Sequence, residues 1–251
     1  MLKEERRADI LRILRREGKV LAGELAESLG VSEHTIRRDL HELADAGEVQ
    51  RVHGGALPRS FASTSYADRR RQAPEAKAGI ARTAAGLVED GQMIILDGGT
   101  TTLQVAQALP AELRATVVTN SPPIAVALAE HPRVEVMVIG GTFYKDSLVM
   151  VGADAVGALR SVNADLCMLG VWGLHREVGI TVPDLEESRI KQRMIESAAE
   201  VVALASSEKL GTASSHVVGP VDALTHLVTD RAAPEEILEA YRRLGLEVLQ
   251  G

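Results

Sequence analysis

The sequence predicts an α/β chain in two parts: a small helix-rich head over residues 1–58 and a mainly parallel α/β domain over 77–251, with a linker at 59–76. Three observations carry this. Short helical stripes punctuated by glycine fill the first forty-six residues and end on two strand-length segments. From Ile80 onward, Val/Ile/Leu-rich runs alternate with helical segments, the pattern of a buried parallel sheet with helices on both faces. The charge divides at the same place: residues 1–79 carry 15 Lys and Arg against 13 Asp and Glu, the rest 13 against 22. A net charge of −7 therefore hides a slightly basic head and an acidic body, modules expected to meet different partners.

In the head, Ile10, Leu11, Ile13 and Leu14 lie among charges, an amphipathic helix over 3–17 that stops near Gly18. A second helix carries Leu21, Leu25 and Leu29 at i, i+4 spacing and ends at Gly30. Ser32 is placed to cap a third, from Glu33 to about Ala46. Two short helices around a glycine turn are the sequence form of a helix-turn-helix. At about 100° per residue, Leu40 and Leu43 fall within about 40° of Ile36, a narrow inward stripe. His34, Arg37, Arg38 and His41 then project outward together. Arginines at the front of a capped helix suit guanine edges, and Ser32, Thr35 and the helix N-terminus suit phosphate. Residues 48–52 alternate like a strand, and His53-Gly54-Gly55 turns into Ala56-Leu57. This is a β-hairpin wing that brings Arg51 and His53 to the DNA backbone.

The stretch EGKVLAGELAESLGVSEHTIRRDLHELADAGEVQRVHGGAL resembles the DNA-binding domain of the DeoR family of bacterial regulators. The matching elements are VS-x-x-TIRRDL, the following L-x-x-x-G and the closing R-x-HGGA. The resemblance implies a winged helix-turn-helix on double-stranded operator DNA, commonly as a repressor, with Arg37 and Arg38 at the interface.

Residues 59–76 read as a polar, broken linker with Ser60, Ser63, Ser65 and Pro74, part helical, in which Arg69-Arg70-Arg71 is taken as a solvated charge cluster. Beyond it, the strand candidates are 93–96, 116–119, 134–139, 166–171, 201–205 and 225–229, with helices including 103–109, 124–129 and 186–200. Parallel sheets bind ligands beyond the carboxyl ends of their strands. Those ends carry Asp97-Gly98-Gly99-Thr100-Thr101, Asn120-Ser121, Gly140-Gly141, Gly170-Val171-Trp172 and Ser206 to Lys209. Glycines admit an anion to the backbone, helix amides and hydroxyls donate to it, and the lysine balances its charge. The set suits a phosphorylated sugar or polyol. DGGTTT is neither a dinucleotide fingerprint nor a Walker loop, which disfavours nicotinamide and ATP, and no cofactor is expected.

The same succession, ILDGGTTT, VVTNSP, VIGG, LGVWGL with GIT, and SSEKLG, resembles the DeoR-family sensor domain, a relative in fold of ribose-5-phosphate isomerase. It implies an effector pocket lined by Asp97, Gly99, Thr100, Thr101, Asn120, Ser121 and Lys209; the strand-end reading adds Gly98, Gly141 and Trp172. Two departures stand out. Ser206 occupies the place of a common Asp, removing a negative charge, and Trp172 that of a small residue, where it narrows the pocket, stacks on a ligand or packs in the core.

Composition bounds the alternatives. Hydrophobic content of 45% and charged content of 25% are those of a soluble globular chain, and only 2% aromatic residues leave the core to aliphatics. The charged first twenty residues lack a secretory signal, and the apolar runs are too short to span a membrane, so a cytoplasmic protein is expected. One cysteine, Cys167, excludes an internal disulfide and a cysteine-cluster metal site, and reads as a packed thiol. A homo-oligomer, dimer or tetramer, is expected from the two-headed geometry of operator binding. Two rivals remain: a sugar-phosphate isomerase, for which Asp97 or Glu187 would be base and Lys209 the oxyanion partner, and a DNA-binding protein whose second domain only oligomerises. No paired-acid constellation is spelled out, so no catalytic residue is assigned.

Overall fold

The computed structural model describes residues 2–60 and 65–251, so Ser63 of the linker reading lies outside the described residues. The head begins with α1 (Lys3–Glu17), β1 (Val20–Leu21), α2 (Ala22–Leu29) and α3 (Glu33–Asp45), and closes with β2 (Val49–Val52) and β3 (Gly55–Pro58). Gly18 and Gly30 take left-handed conformations that end α1 and α2. Ser32 Oγ accepts from Thr35 N–H at 3.2 Å and starts α3. Ile36, Leu40 and Leu43 face inward, as their spacing predicts, against Ile10, Leu14 and Leu25. The strands pair antiparallel in the order β1-β3-β2. Gly55 is required where β3 crosses β1, because a Cβ there would lie 1.9 Å from the Val20 carbonyl oxygen.

One inward position of α3 is charged. Asp39, almost fully buried, accepts from Arg6 Nε at 2.5 Å and Arg6 Nη2 at 3.2 Å, while Arg7 and Lys3 of α1 pair with Glu42. These ion pairs clamp α1 to α3. Asp39→Ala removes the buried acceptor that holds the Arg6 guanidinium and is expected to destabilise the head by about 2 kcal/mol; melting of the full chain followed by helical circular dichroism checks it, and an unchanged melt removes the clamp.

The body contains α4 (Tyr66–Arg71), α5 (Pro74–Ala85), β4 (Met93–Leu96), α6 (Thr100–Ala108), β5 (Ala115–Thr119), α7 (Pro122–Leu128) and β6 (Val134–Val138). A hairpin of β7 (Thr142–Tyr144) and β8 (Val149–Val151) follows, then α8 (Ala153–Ala158), β9 (Ala164–Gly170), β10 (Gly173–His175), β11 (Gly179–Val182) and α9 (Leu185–Glu196). The chain closes with β12 (Ala198–Leu204), β13 (His216–Gly219), β14 (His226–Thr229), α10 (Glu235–Arg242) and β15 (Glu247–Gln250).

Seven strands form one parallel sheet in the order β15-β14-β12-β9-β4-β5-β6. Alternate residues serve opposite faces. Ile94, Leu96, Met168 and Val202 pack under α5, α6 and α7 with Ile80, Leu103 and Ile124. Ile95, Cys167, Leu169 and Ala203 pack on the other side with Ala155, Ile190, Met194 and Tyr241 of α8, α9 and α10. Cys167 is fully buried there, and burial pushes its thiol pKa up. The chain order reverses between β4 and β9, so their carboxyl ends form the topological switch point where such sheets bind ligands.

Three local differences from the sequence reading have physical causes. The predicted helix 186–200 stops at Glu196, because Ala198 and Glu200 pair with Ala164 and Leu166 of β9, and the ladder outweighs alanine's helix preference. The small sheet β10-β11-β13 and the edge strand β15 are too short and mixed in polarity to show as apolar runs. Finally, the chain leaving β3 docks on the body: Ser60 N–H donates to Ala213 O at 3.2 Å, and Ala213 N–H to Pro58 O at 3.1 Å.

Candidate functional sites

On α3, His34, Arg37, Arg38 and His41 are all exposed on one face, away from the stripe that packs inward. Ser32 and Thr35 stand at its first turn, engaged in the cap, with their hydroxyls 2.8 Å apart. Arg37 donates to Glu33 at 2.7 Å and Arg38 to Glu42 at 3.3 Å, exposed i, i+4 pairs of little energetic weight that an incoming phosphate can replace. The wing closes on the same surface, where Arg51 Nη1 lies 2.5 Å from His41 Nδ1 and His53 is exposed at the hairpin tip. Arg37, Arg38, His34 and His41 thus stand beside Arg51 and His53 of the wing, while Ser32 and Thr35 mark the start of the helix.

The second site is a cleft at the switch point. Gly98, Gly99, Thr100, Thr101, Trp172 and Lys209 line it, together with Arg69, Ser147, Gly170, Val171, Glu187 and Lys191. Thr100 and Thr101 open α6, directing its first amides at the cleft, with Gly99 as N-cap. Gly98 has no room for a side chain, since a Cβ would lie 1.9 Å from Val149 Cγ1.

Asp97, Asn120 and Ser121, expected as lining residues, stand behind the wall instead. Asp97 accepts from Gly170 N–H at 3.0 Å and from the Lys191 ammonium, a pair almost completely buried. Asn120 accepts from Gly98 N–H at 3.2 Å and donates to Met150 O at 2.9 Å. Ser121 N–H donates to Thr119 Oγ1 at 3.1 Å. All three are buried just beyond the ends of β4 and β5, where they support the loops that form the cleft, and the Ser121 hydroxyl has no hydrogen-bond partner. Gly141 is outside it altogether. It is an exposed turn residue at φ 139°, where a Cβ would lie 2.6 Å from Val151 O.

The structure also corrects the reading of the arginine run. Arg70 and Arg71 are exposed, but Arg69 is buried, with its guanidinium 4.4 Å from the centre of the Trp172 ring. It donates to Asp146 O at 3.1 Å and Ser147 Oγ at 3.2 Å. Desolvation lowers its pKa, opposed by Glu187. A sequence places Arg69 in a linker and Trp172 a hundred residues later; only the fold stacks them. Lys191 was equally hidden, in a charged amphipathic helix, whereas Glu187 one turn before it was named only as a candidate base for the isomerase reading.

Lys209 faces the cleft from the turn after β12, and burial pushes its ammonium pKa down to about 8, with Lys77, Arg69 and Lys191 acting in the same direction and Glu208 against. Ser206, in place of an acid, donates its hydroxyl to Glu208 at 2.6 Å, which brings a carboxylate near Lys209 by another route. The cleft has about 30 Å3 of interior space, with Arg69 and Trp172 stacked in its wall. Among the described residues no helix is long and apolar enough to cross a membrane, and no group of His, Cys, Asp and Glu is arranged to hold a metal.

Residues 6–60 match the DeoR-like helix-turn-helix domain, and residues 72–231 match the DeoR C terminal sensor domain. The chain is 35% identical to the HTH-type transcriptional regulator GlpR of Haloferax volcanii, covering 100% of this chain and 99% of that one. It is 34% identical to the HTH-type transcriptional repressor GlcR of Bacillus subtilis, over 99% and 96%. Among solved structures, a ribose 5-phosphate isomerase A from Methanocaldococcus jannaschii aligns with 54% of this chain and 54% of its own at 16% identity and a TM-score of 0.40. A winged head and a parallel α/β body, each matched in sequence by its own domain family, place this chain in the DeoR family of DNA-binding transcription regulators.

Proposed function

We propose that the chain represses a carbohydrate-metabolism operon and releases it when a phosphorylated sugar or polyol enters the switch-point cleft. Residues 1–58 hold the operator, 77–251 sense, and 59–76 connect them. The observation that carries this reading is the cleft's composition: the amino end of α6, the hydroxyls of Thr100 and Thr101, and the cations Arg69 and Lys209 converge on one small volume. Names among its relatives agree, including a glycerol-3-phosphate regulon repressor of Escherichia coli, 29% identical over 95% of each chain.

Two heads of a homo-oligomer, dimer or tetramer, meet successive major grooves about 34 Å apart, with Arg37 and Arg38 in the groove and Arg51 and His53 on phosphates. Coupling runs through the junction. Trp172, which lines the cleft, accepts at its carbonyl from Ser60 Oγ, and Lys209 lies four residues before Ala213, which pairs with the chain leaving the wing. A ligand that parts Arg69 from Trp172 therefore pulls on the segment that orients the head. A C-terminal domain that only oligomerised would have no need of this cluster.

The test is an operator gel shift with added sugar phosphates; retention of the complex at saturating concentrations of all of them rejects release by phosphosugar. The pH dependence has a definite sign. Lys209 with a pKa of about 8 is protonated below that value and binds phosphate as a cation, so ligand binding raises its pKa and takes up a proton. Affinity is expected to be highest from about pH 6, above which the phosphate is a dianion, to about pH 8, and to fall as pH rises further. Calorimetry in buffers of different ionisation enthalpy reads the proton uptake; Lys209→Ala should abolish it.

A further inference from the structure

Among the described residues Glu187 is the one carboxylate on the cleft wall, otherwise cationic, hydroxyl-bearing or apolar. It lies in the first turn of α9, where Asp184 caps the helix by accepting from Glu187 N–H at 2.9 Å. The side chain is only 3% exposed. Ser147 donates a hydrogen bond to the carboxylate, yet Oε2 has no partner, an uncommon state for a buried carboxylate oxygen. Lys191, one turn on, is already occupied by Asp97 and by Gly170 O at 2.9 Å. Burial raises the Glu187 pKa, with Asp97 in the same direction and Lys191, Ser147 and Arg69 opposing.

A group aimed into a ligand cleft with an unused acceptor selects what can lie against it. A second anion is repelled by the carboxylate, and a cation by Arg69, Lys191 and Lys209. A neutral donor satisfies Oε2 without disturbing the charge balance. We propose that Glu187 is a specificity-determining residue that accepts a hydrogen bond from a hydroxyl group of the effector, so that the cleft favours hydroxyl-bearing phosphate esters over alkyl phosphates of similar length. The inference rests on the phosphosugar reading above and adds which neutral feature is recognised and by what atom. In the ligand-free protein the unsatisfied oxygen is a source of instability kept for recognition.

Full-length protein is titrated with D-ribose 5-phosphate, D-fructose 6-phosphate and sn-glycerol 3-phosphate, and with n-butyl phosphate and inorganic phosphate, following Trp172 emission and thermal shift. In the wild type, the best hydroxyl-bearing ester is expected to bind at least about tenfold tighter than n-butyl phosphate. Glu187→Leu should bring that ratio to within about threefold. Glu187→Gln, which keeps an acceptor oxygen and the side-chain shape, should retain most of the preference. A preference that survives in Glu187→Leu, or its absence in the wild type while n-butyl phosphate binds, overturns the role of Glu187 and leaves the anion site standing. If no phosphorylated compound binds the wild type, the phosphosugar reading fails and this inference with it. The wild-type comparison requires no variant, so a misfolded Glu187→Leu does not disable the test.

Discussion

Replacing both Arg37 and Arg38 with alanine is expected to weaken operator binding at least about a hundredfold at physiological salt, since each phosphate or base interaction contributes about 1–3 kcal/mol. Both side chains are largely exposed, with relative areas of 66% and 75%, and paired only with Glu33 and Glu42 on their own helix, so their removal leaves the Ile36–Leu40–Leu43 stripe intact. The deficit should therefore appear in DNA binding and not in the melting curve. Every phosphate that the protein ceases to neutralise also flattens the dependence of log K on log salt by about 0.9. Fluorescence anisotropy with an operator duplex at four salt concentrations gives both quantities. An unchanged affinity and slope would remove these arginines from the groove.

The largest effect on stability is expected at Asp97. Its partner Lys191 is buried on α9 and also donates to Gly170 O, so Asp97→Ala leaves an enclosed ammonium that has lost its bonded carboxylate, with only the longer-range charge of Glu187 to offset it. Breaking such a pair is destabilising by about 3–5 kcal/mol, which for a domain of this size lowers Tm by roughly 10 °C. Adding Lys191→Met should recover much of the stability, because the double variant buries neither charge. Calorimetric melting of wild type, both singles and the double closes the cycle, and strictly additive effects would show that the pair is not a unit.

The two sites were legible to different depths. The recognition helix could be read residue by residue because its inward and outward faces follow from 3.6-residue spacing alone, and Ser32, Gly30 and the His53–Gly54 turn punctuate it locally. What spacing missed there was Asp39, whose partner Arg6 lies 33 positions away. In the body, strand ends marked where a ligand would sit, and Gly98 to Thr101, Trp172 and Lys209 do meet there. Strand-end position does not say which way a side chain leaves the loop, and so the buried position of Asp97, Asn120 and Ser121 beneath the cleft was not legible. Arg69 and Lys191 carry no motif, and Glu187 was considered only as a base for the rival reading; all three reach the cleft by the packing of α4 and α9, which no local pattern encodes.

The short splice between Pro58–Ser60 and Ala213 bears on how sharply a gene is switched. A few hydrogen bonds, each contributing net about 1 kcal/mol, hold the head's exit from the wing against the body. A metabolite at a hundred times its dissociation constant supplies about 2.7 kcal/mol, the same magnitude. The two quantities being matched, no exceptional affinity is needed to tip the heads. Under the proposed function, the level of an ordinary metabolic intermediate would be read directly, and the transcriptional set point would be retuned by altering one bond at the splice while the binding cleft and the operator stay as they are.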